Sequence, residues 1–293
     1  MPNLKEVRNR ITSVSSTQQI TKAMKMVSAA KLRRAQDAIL QMRPYAKKLQ
    51  EIIGKVTAGS DASDGGAFAV QREVKSVLLV VVTSNRGLCG AFNSAVIKKT
   101  LSLAQNEFAG KTVSVLCIGK KASDFFRKTD YHIIGTDLPK RLHELFDNLT
   151  FENAAPVAEM VMKSFLEQQF DRVEIVYNQF ANAAVQVVTV EQFLPVLPVK
   201  QVASSQSADY IFEPDKETIF RELIPKSLKV QFYKTLLDSF ASEHGARMTA
   251  MHKATDNAAA LLKELRLSYN KARQAAITNE ILEIVGGAEA LKG

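Results

Sequence analysis

The sequence predicts an α/β domain inserted between two long helices, one at each end of the chain, that pair as an antiparallel coiled coil. Two observations favour this class: apolar residues recur every three or four positions in both terminal segments, and short apolar runs alternate with helical stretches in the middle. The predicted divisions are an N-terminal helix over 1–57, a loop over 58–73, the α/β domain over 74–193, a linker over 194–226 and a C-terminal helix over 227–293.

The C-terminal helix rests on the segment Ser227 to Val285, which has no proline and only one glycine, Gly245. At 1.5 Å per residue this segment is about 90 Å long, so one compact core cannot bury its apolar face and a partner helix is required. The face consists of Leu237, Phe240, His244, Met248, Met251, Thr255, Ala258, Leu262, Leu265, Tyr269, Ala272 and Ala276.

The N-terminal helix supplies the partner. We expect its apolar face to break at residues 15–19, a skip of the kind that locally alters the winding of a coiled coil. Pro44 is expected to kink a helix that continues to about Val56. The face consists of Leu4, Val7, Ile11 and Val14, then Ile20, Met24 and Val27, then Leu32, Ala35, Ile39 and Met42.

The middle of the chain alternates between strand and helix patterns, which predicts a Rossmann-like α/β domain with a mostly parallel sheet. Helices are expected at Ala91–Phe108 and Lys120–Lys128, with further helical stretches between Pro139 and Phe170. The predicted strands are Val74–Val82, Thr112–Ile118, Tyr131–Ile134, Arg172–Phe180 and Val185–Phe193.

Composition limits the class of protein. Of the 293 residues, 46% are hydrophobic, which predicts a folded core. The net charge of +9 is concentrated in residues 3–57, which contain 12 Lys/Arg and 3 Asp/Glu, so this segment favours an acidic partner surface or nucleic acid.

The longest apolar run, Val77–Val82, is far too short to span a bilayer, and the polar N-terminus lacks a secretory signal. The two cysteines form no disulfide framework and fit a reducing compartment.

The turn Arg86–Gly90, between a strand and a helix, lies where α/β sheets bind phosphates, although it matches no phosphate-binding motif. Cys89 at a helix N-terminus could act as a nucleophile, but a tight packing turn is the favoured interpretation. The histidines at 132, 143, 244 and 252 show no metal-ligand spacing. No metal and no cofactor is therefore predicted.

Five segments carry a family resemblance that covers the whole chain. They are ITSVSSTQQITKAMKMVSAAKLRRAQ (11–36), SNRGLCGAFN (84–93), SADYIFEPD (207–215), ASEHGARMTAMHKATDNA (241–258) and KELRLSYNKARQAAITNEILEIVGGA (263–288). Together they resemble the gamma subunit of F-type rotary ATP synthases, in its bacterial form.

The resemblance implies a rotor shaft without a catalytic site of its own. The paired terminal helices would turn inside a hexamer of alpha and beta subunits, and the α/β domain would bind the epsilon subunit and the ring of c subunits. Torque would pass between the ion-driven ring and the beta subunits, where ATP is made. The chain would lie at the cytoplasmic face of the bacterial inner membrane and meet the membrane only through the ring, and it would bind no nucleic acid.

The resemblance also assigns candidate contact residues. Those expected near the beta subunits are Met24, Lys25, Lys271, Arg273, Gln274 and Thr278. Those expected at the tip of the shaft, in an apolar sleeve, are Ile281, Ile284 and Val285. Those expected at the foot, near epsilon and the ring, are Tyr210, Glu213 and Asp215.

Two other classes stay open on sequence alone. A nucleic-acid-binding coiled coil would use the basic N-terminal segment, although no aromatic residues are interleaved there. An enzyme using Cys89 would show activity as an isolated chain.

Overall fold

The computed structural model describes residues 4–57, 67–133, 138–139, 142–196 and 216–290. A π-helical turn, Leu103–Glu107, continues the second helix, and a 3-10 turn, Glu144–Phe146, precedes the fourth. The α-helices are α1 (Leu4–Thr57), α2 (Phe92–Ser102), α3 (Lys120–Phe126), α4 (Phe151–Leu166) and α5 (Lys216–Ala290). The strands are β1 (Ser76–Val82), β2 (Thr112–Ile118), β3 (Arg172–Phe180) and β4 (Gln186–Leu194).

The chain divides into two compact units. Unit 1 comprises Met1–Ser28 and Met248–Gly293, and unit 2 comprises Ala29–Arg247. Within unit 1 the ends of α1 and α5 lie side by side: Thr21 meets Thr255, while Gln18 lines a groove with residues 259–270. Because lower numbers on α1 face higher numbers on α5, the two helices are antiparallel, as the sequence predicts.

The sheet in unit 2 has four strands in the order β2-β1-β3-β4. β1 is parallel to both of its neighbours, and β4 is antiparallel to β3. Every residue from Val77 to Val82 is fully buried, which explains why this strand is a continuous apolar run rather than an alternating one. The predicted mostly parallel α/β domain is therefore present.

Each face of the sheet has its own apolar core. On one face, α2, α3 and the π-helical turn cover Val77, Leu79 and Val81 of β1. On the other, α4 and the first part of α5 cover Leu78, Val80 and Val82. The residues that α5 contributes are Ile224, Leu228, Phe232 and Leu236. The early turns of α5 are thus part of the domain core.

The helix α5 begins at Lys216, eleven residues before the start predicted at 227, and it includes Pro225. Proline inside a helix costs roughly 3 kcal/mol, which is why the sequence reads as a linker here. Burial of Ile224 and Leu228 offsets this cost, since each fully buried side chain contributes about 1.5–3 kcal/mol.

The face that α1 buries differs from the predicted one. Ile20 and Val27 are each 58% exposed, so their assignment to the packed face is wrong. The less exposed residues instead follow an unbroken three-four spacing through a polar stretch, with no skip at residues 15–19. This spacing runs through Val7, Ile11, Val14, Gln18, Thr21, Lys25, Ser28, Leu32, Ala35 and Ile39.

The predicted strand Tyr131–Ile134 is also wrong as a strand. Its described part contributes a single parallel bridge, between His132 and Val115 of β2, and Ile134 lies outside the described residues. Tyr131 belongs to the turn that follows α3, so among the described residues only His132 and Ile133 are left to extend from it. The other strands were predicted within two residues at each end, and β2 and β3 at the observed bounds.

Candidate functional site

The turn after β1 is held by its own side chains. The Ser84 amide donates to Asn93 Oδ1 at 2.9 Å, and the Ser84 hydroxyl donates to the Arg86 carbonyl at 2.6 Å. Leu88 and Gly90 both have positive φ values, 62° and 61°, which fold the chain back into α2. The turn is therefore tight and internally bonded.

Cys89 does not have the environment of a nucleophile. Its side chain is 2% exposed and packs against Phe92 and Ala246. Burial raises the pKa of the thiol, with smaller opposing effects from the Ser84 hydrogen bond and Arg247. Because the thiolate is the reactive form, a raised pKa favours the packing interpretation over the catalytic one.

A buried ion pair on α5 meets this turn. Glu243 and Arg247 lie four residues apart, with side chains only 9% and 7% exposed, and Arg247 Nη1 donates to Glu243 Oε1 at 2.6 Å. Arg247 Nη2 donates to the Arg86 carbonyl at 2.9 Å, and Nε donates to the Gly87 carbonyl at 3.3 Å. The guanidinium thus joins α5 to the backbone of the turn.

His244 lies beside this pair and is neutral. Burial, then the nearby charges of Arg247 and Lys31, lower its pKa to about 3. Its Nδ1 atom is 3.4 Å from Arg247 Nη1, and its ring stacks edge-on against Phe240 with centroids 4.5 Å apart. The same burial raises the pKa of Glu243, against the opposing effect of Arg247.

In unit 1, the helix pair has a polar layer. The Thr255 hydroxyl donates to Thr21 Oγ1 at 2.9 Å, and the Thr21 hydroxyl donates to the Gln18 carbonyl at 3.0 Å. A buried polar layer in a coiled coil fixes the register of the two helices at some cost in stability. The predicted α5 face, from Leu237 to Ala276, is buried or half-buried at all of its positions.

The predicted beta-contact residues occupy two separate places. Met24 and Lys25 are half-buried on α1, one turn beyond Thr21. On α5, Lys271, Arg273, Gln274 and Thr278 are exposed, and the Thr278 hydroxyl donates to the Gln274 carbonyl within the helix at 2.9 Å. Thr21 on α1 contacts Thr255 on α5, and Lys271, the first of the four α5 residues, lies sixteen residues after Thr255. The two groups are therefore about 24 Å apart by helix rise.

The predicted tip residues are exposed. Ile281 is 55% exposed, Ile284 72% and Val285 54%, and every described side chain from Ile277 to 288 is exposed. Three apolar residues of α1, Ile20, Met26 and Val27, are also exposed, and the sequence prediction placed two of them in the packed face. Several exposed large apolar side chains on one segment make that segment a candidate interaction site.

The predicted foot residues Tyr210, Glu213 and Asp215 lie outside the described residues. Among the residues that are described, no group of three or more His, Cys, Asp and Glu side chains could hold a metal ion. In the same part of the chain, no helix has both the length and the apolar character needed to cross a membrane.

Comparisons with known proteins identify the family. The family model described as ATP synthase matches residues 3–291. The ATP synthase gamma chain of Flavobacterium johnsoniae is 61% identical over 293 residues, covering 100% of both chains. This chain belongs to the ATP synthase gamma chain family.

Solved structures agree with this assignment. A chain of the Tetrahymena thermophila mitochondrial ATP synthase, solved with its central stalk and c-ring, is 27% identical and has a TM-score of 0.56, covering 80% of this chain and 99% of that one. A rotor chain of the Euglena gracilis mitochondrial enzyme is 22% identical with a TM-score of 0.66, covering 94% and 98%, which supports the fold. The predicted family and fold class are confirmed.

Sequence reasoning missed the buried pair of Glu243 and Arg247. A signal was available, because a glutamate and an arginine four residues apart lie on either side of His244, which belongs to the predicted packed face. All three residues lie in the segment 241–258, one of those that carry the family resemblance. Surface charge was the simpler interpretation, and only the structure shows their burial.

Proposed function

We propose that this chain is the rotating shaft of a bacterial ATP synthase, which carries torque between the ion-driven c-ring and the catalytic beta subunits. One observation supports this most strongly: α5 is a continuous helix of 75 residues, about 110 Å by helix rise, with one end in the core of an α/β domain and the other end exposed. A helix of this kind can be gripped at one end and bear on a partner at the other.

The exposed end of α5 enters the apolar sleeve of the alpha and beta hexamer. Its apolar side chains, Ile281, Ile284 and Val285 among them, would leave water there, at about 25 cal/mol for each Å² buried. Lys271, Arg273, Gln274 and Thr278 contact the beta subunits near this end, and Met24 and Lys25 contact them from α1. Exposure of the α5 group leaves its side chains available for such contacts.

The α/β domain, predicted over 74–193, is the foot of the shaft. It binds the epsilon subunit and the c-ring, with Tyr210, Glu213 and Asp215 at or near the contact. The chain touches the membrane only through the ring, at the cytoplasmic face of the inner membrane, and it binds no nucleic acid.

The chain contributes no catalytic group, and nucleotide and magnesium are bound by the beta subunits. The burial and raised pKa of Cys89 support this part of the proposal, because they argue against the one nucleophile that the sequence offered. The basic side chains of α1 face acidic protein surface rather than phosphates.

Rotation of this chain tests the proposal directly. Lys98 on α2 is exposed, whereas the native Cys89 and Cys117 are buried, so Lys98→Cys allows selective attachment of an optical probe. The alpha and beta hexamer carrying the labelled chain is fixed to a surface and supplied with ATP. We expect the probe to turn in one direction, and to stop with a non-hydrolysable ATP analogue. Steady hydrolysis by hexamers whose intact, labelled chain does not turn would refute the shaft function.

A further inference from the structure

The contacts that hold α5 within unit 2 are of two kinds. Its early turns bury apolar side chains such as Leu228 and Phe232 against α4 and the sheet. Apolar burial is non-directional, so it resists separation of the helix from the domain better than it resists rotation about the helix axis. Directional bonds are needed to fix the helix in rotation.

Arg247 supplies the strongest set of directional bonds. Its Nη1, Nη2 and Nε atoms donate to Glu243 Oε1, the Arg86 carbonyl and the Gly87 carbonyl, at 2.6, 2.9 and 3.3 Å. The planar guanidinium holds these donors in a rigid fork, which restricts the orientation of the acceptors as well as their distance. We call Glu243, Arg247 and the two carbonyls the Arg247 cluster.

The cluster also bonds to a rigid target. The turn that bears the two carbonyls is itself fixed, since the Ser84 hydroxyl donates to the Arg86 carbonyl and Asn93 binds the Ser84 amide. Gly245, between Glu243 and Arg247 on α5, packs so closely on Ala183 that an added Cβ would lie 3.2 Å from the Ala183 carbonyl oxygen. The helix is therefore seated between the turn after β1 and the β3–β4 hairpin at this level.

A second directional contact lies sixteen residues earlier on α5. Gln231 Nε2 donates to Glu191 Oε1 of β4 at 2.6 Å, and Tyr177 donates to the other oxygen of Glu191 at 3.0 Å. The two contacts are about 24 Å apart along the helix. Arg247 is the last residue of α5 in unit 2, so the Arg247 cluster holds the helix at the end of that unit.

Stability alone does not account for a buried ion pair at this position. Apolar side chains of similar volume often stabilise a protein as well as a buried pair does, or better, because both charges must be desolvated. What an apolar replacement cannot provide is a fixed angle between α5 and the carbonyls of the turn. The arrangement is the one expected where an orientation has to be held under load.

We infer that Arg247, oriented by Glu243, is the positioning residue that fixes α5 in rotation against the α/β domain and so sets the torsional stiffness of the shaft. This rests on the proposed shaft function, because stiffness matters only if torque passes through α5. Arg247 acts through the helix and touches neither nucleotide nor its binding subunits in this scheme.

The test removes the cluster without leaving a buried charge. Glu243→Leu/Arg247→Met replaces the pair by apolar side chains, and Arg247→Lys keeps the charge but cannot reach all three acceptors with a fork. The matched control is Glu222→Leu/Lys226→Met, which removes an exposed pair with the same spacing on the same helix. All three are made in the Lys98→Cys background and assembled into the hexamer.

The readout is the angular variance of the probe on the α/β domain while the hexamer is held by a non-hydrolysable ATP analogue. Two other polar contacts, Gln231–Glu191 and Lys229–Glu159, also hold α5 against the domain. If the Arg247 cluster is one of three comparable directional anchors, the variance should rise about 1.5-fold in the double variant. It should rise less in Arg247→Lys and stay unchanged in the control. Thermal unfolding of each complex, measured in parallel, shows whether the domain remains folded.

The outcomes separate this inference from the proposed function. If the probe on the Lys98→Cys chain with no further change does not turn when ATP is added, the shaft function itself is overturned. If that probe turns, but the angular variance is unchanged in both variants at Arg247, only the inference about Arg247 is overturned. If the double variant does not fold, Arg247→Lys still decides, because it retains the charge balance of the buried pair.

Discussion

The double change Arg273→Ala/Gln274→Ala tests the proposed contact between α5 and the beta subunits. Both residues are exposed, and in the part of the chain that the structure describes neither side chain has a hydrogen-bond or ion-pair partner. Adjacent residues on a helix point about 100° apart, so the two can reach more than one neighbour. Any functional loss must therefore come from contacts made with other subunits.

The expected magnitudes differ between the free chain and the complex. In the free chain, replacing two exposed side chains by alanine should change the free energy of unfolding by no more than about 0.5 kcal/mol for each residue. In the complex, each hydrogen bond to a charged partner contributes about 1.5–3 kcal/mol where it is buried, so the pair would contribute about 3–6 kcal/mol. A loss of 3 kcal/mol changes an equilibrium by more than about a hundredfold.

The assay measures steady-state ATP hydrolysis, ion pumping and nucleotide affinity at the tightest beta site on one purified complex. We expect multi-site turnover and coupling to fall while the complex still assembles, and the tight-site affinity to change far less. Lys263→Ala/Glu264→Ala, also adjacent and exposed on α5, is the matched control. If tight-site binding collapses while turnover per bound nucleotide stays normal, or if the control loses as much coupling, the contact assignment is refuted.

Three further predictions concern other parts of the chain. Cys89→Ser should leave ATP synthesis largely intact, because the thiol packs inside a turn; loss of all activity in a complex that assembles would contradict this. The isolated chain should be poorly soluble and improve on adding alpha and beta subunits, because the apolar tip from Ile277 to Val285 is exposed; equal protease protection of the tip with and without them would count against it. In His244→Gln, the loss of stability on acidification should be smaller than in the wild type. The folded-state pKa near 3 lies below the ordinary 6.5, so between these values the unfolded state binds the extra proton. The contribution of His244 to stability therefore falls by about 1.4 kcal/mol per pH unit on acidification, and the difference in slope between the two proteins is measurable by urea unfolding at pH 5.5 and 4.5. Equal slopes for the two proteins would show that His244 is not buried as a neutral ring.

Much of the fold was predictable because hydrophobic periodicity is a local property of the chain. The α5 face from Leu237 to Ala276 and the strands β2 and β3 lie where the sequence predicts them. The family was predictable because its motifs are long and span both ends.

The buried face of α1 was not predictable from periodicity. Thr21 and Ser28 are buried while Ile20 and Val27 are exposed, the reverse of their polarity. A small hydroxyl can be buried when a partner satisfies it, as Thr255 satisfies Thr21. Which residue faces which depends on the register of two segments more than two hundred residues apart in sequence.

The Arg247 cluster depends on tertiary structure for a different reason. The sequence shows an arginine four residues after a glutamate, a pattern that is usually a solvated pair on a helix surface. Its other partners are the backbone carbonyls of Arg86 and Gly87, 161 and 160 residues away. Every residue carries the same carbonyl, so no side-chain pattern in the sequence can mark which ones will accept, and only the packing of α5 against the turn after β1 selects them.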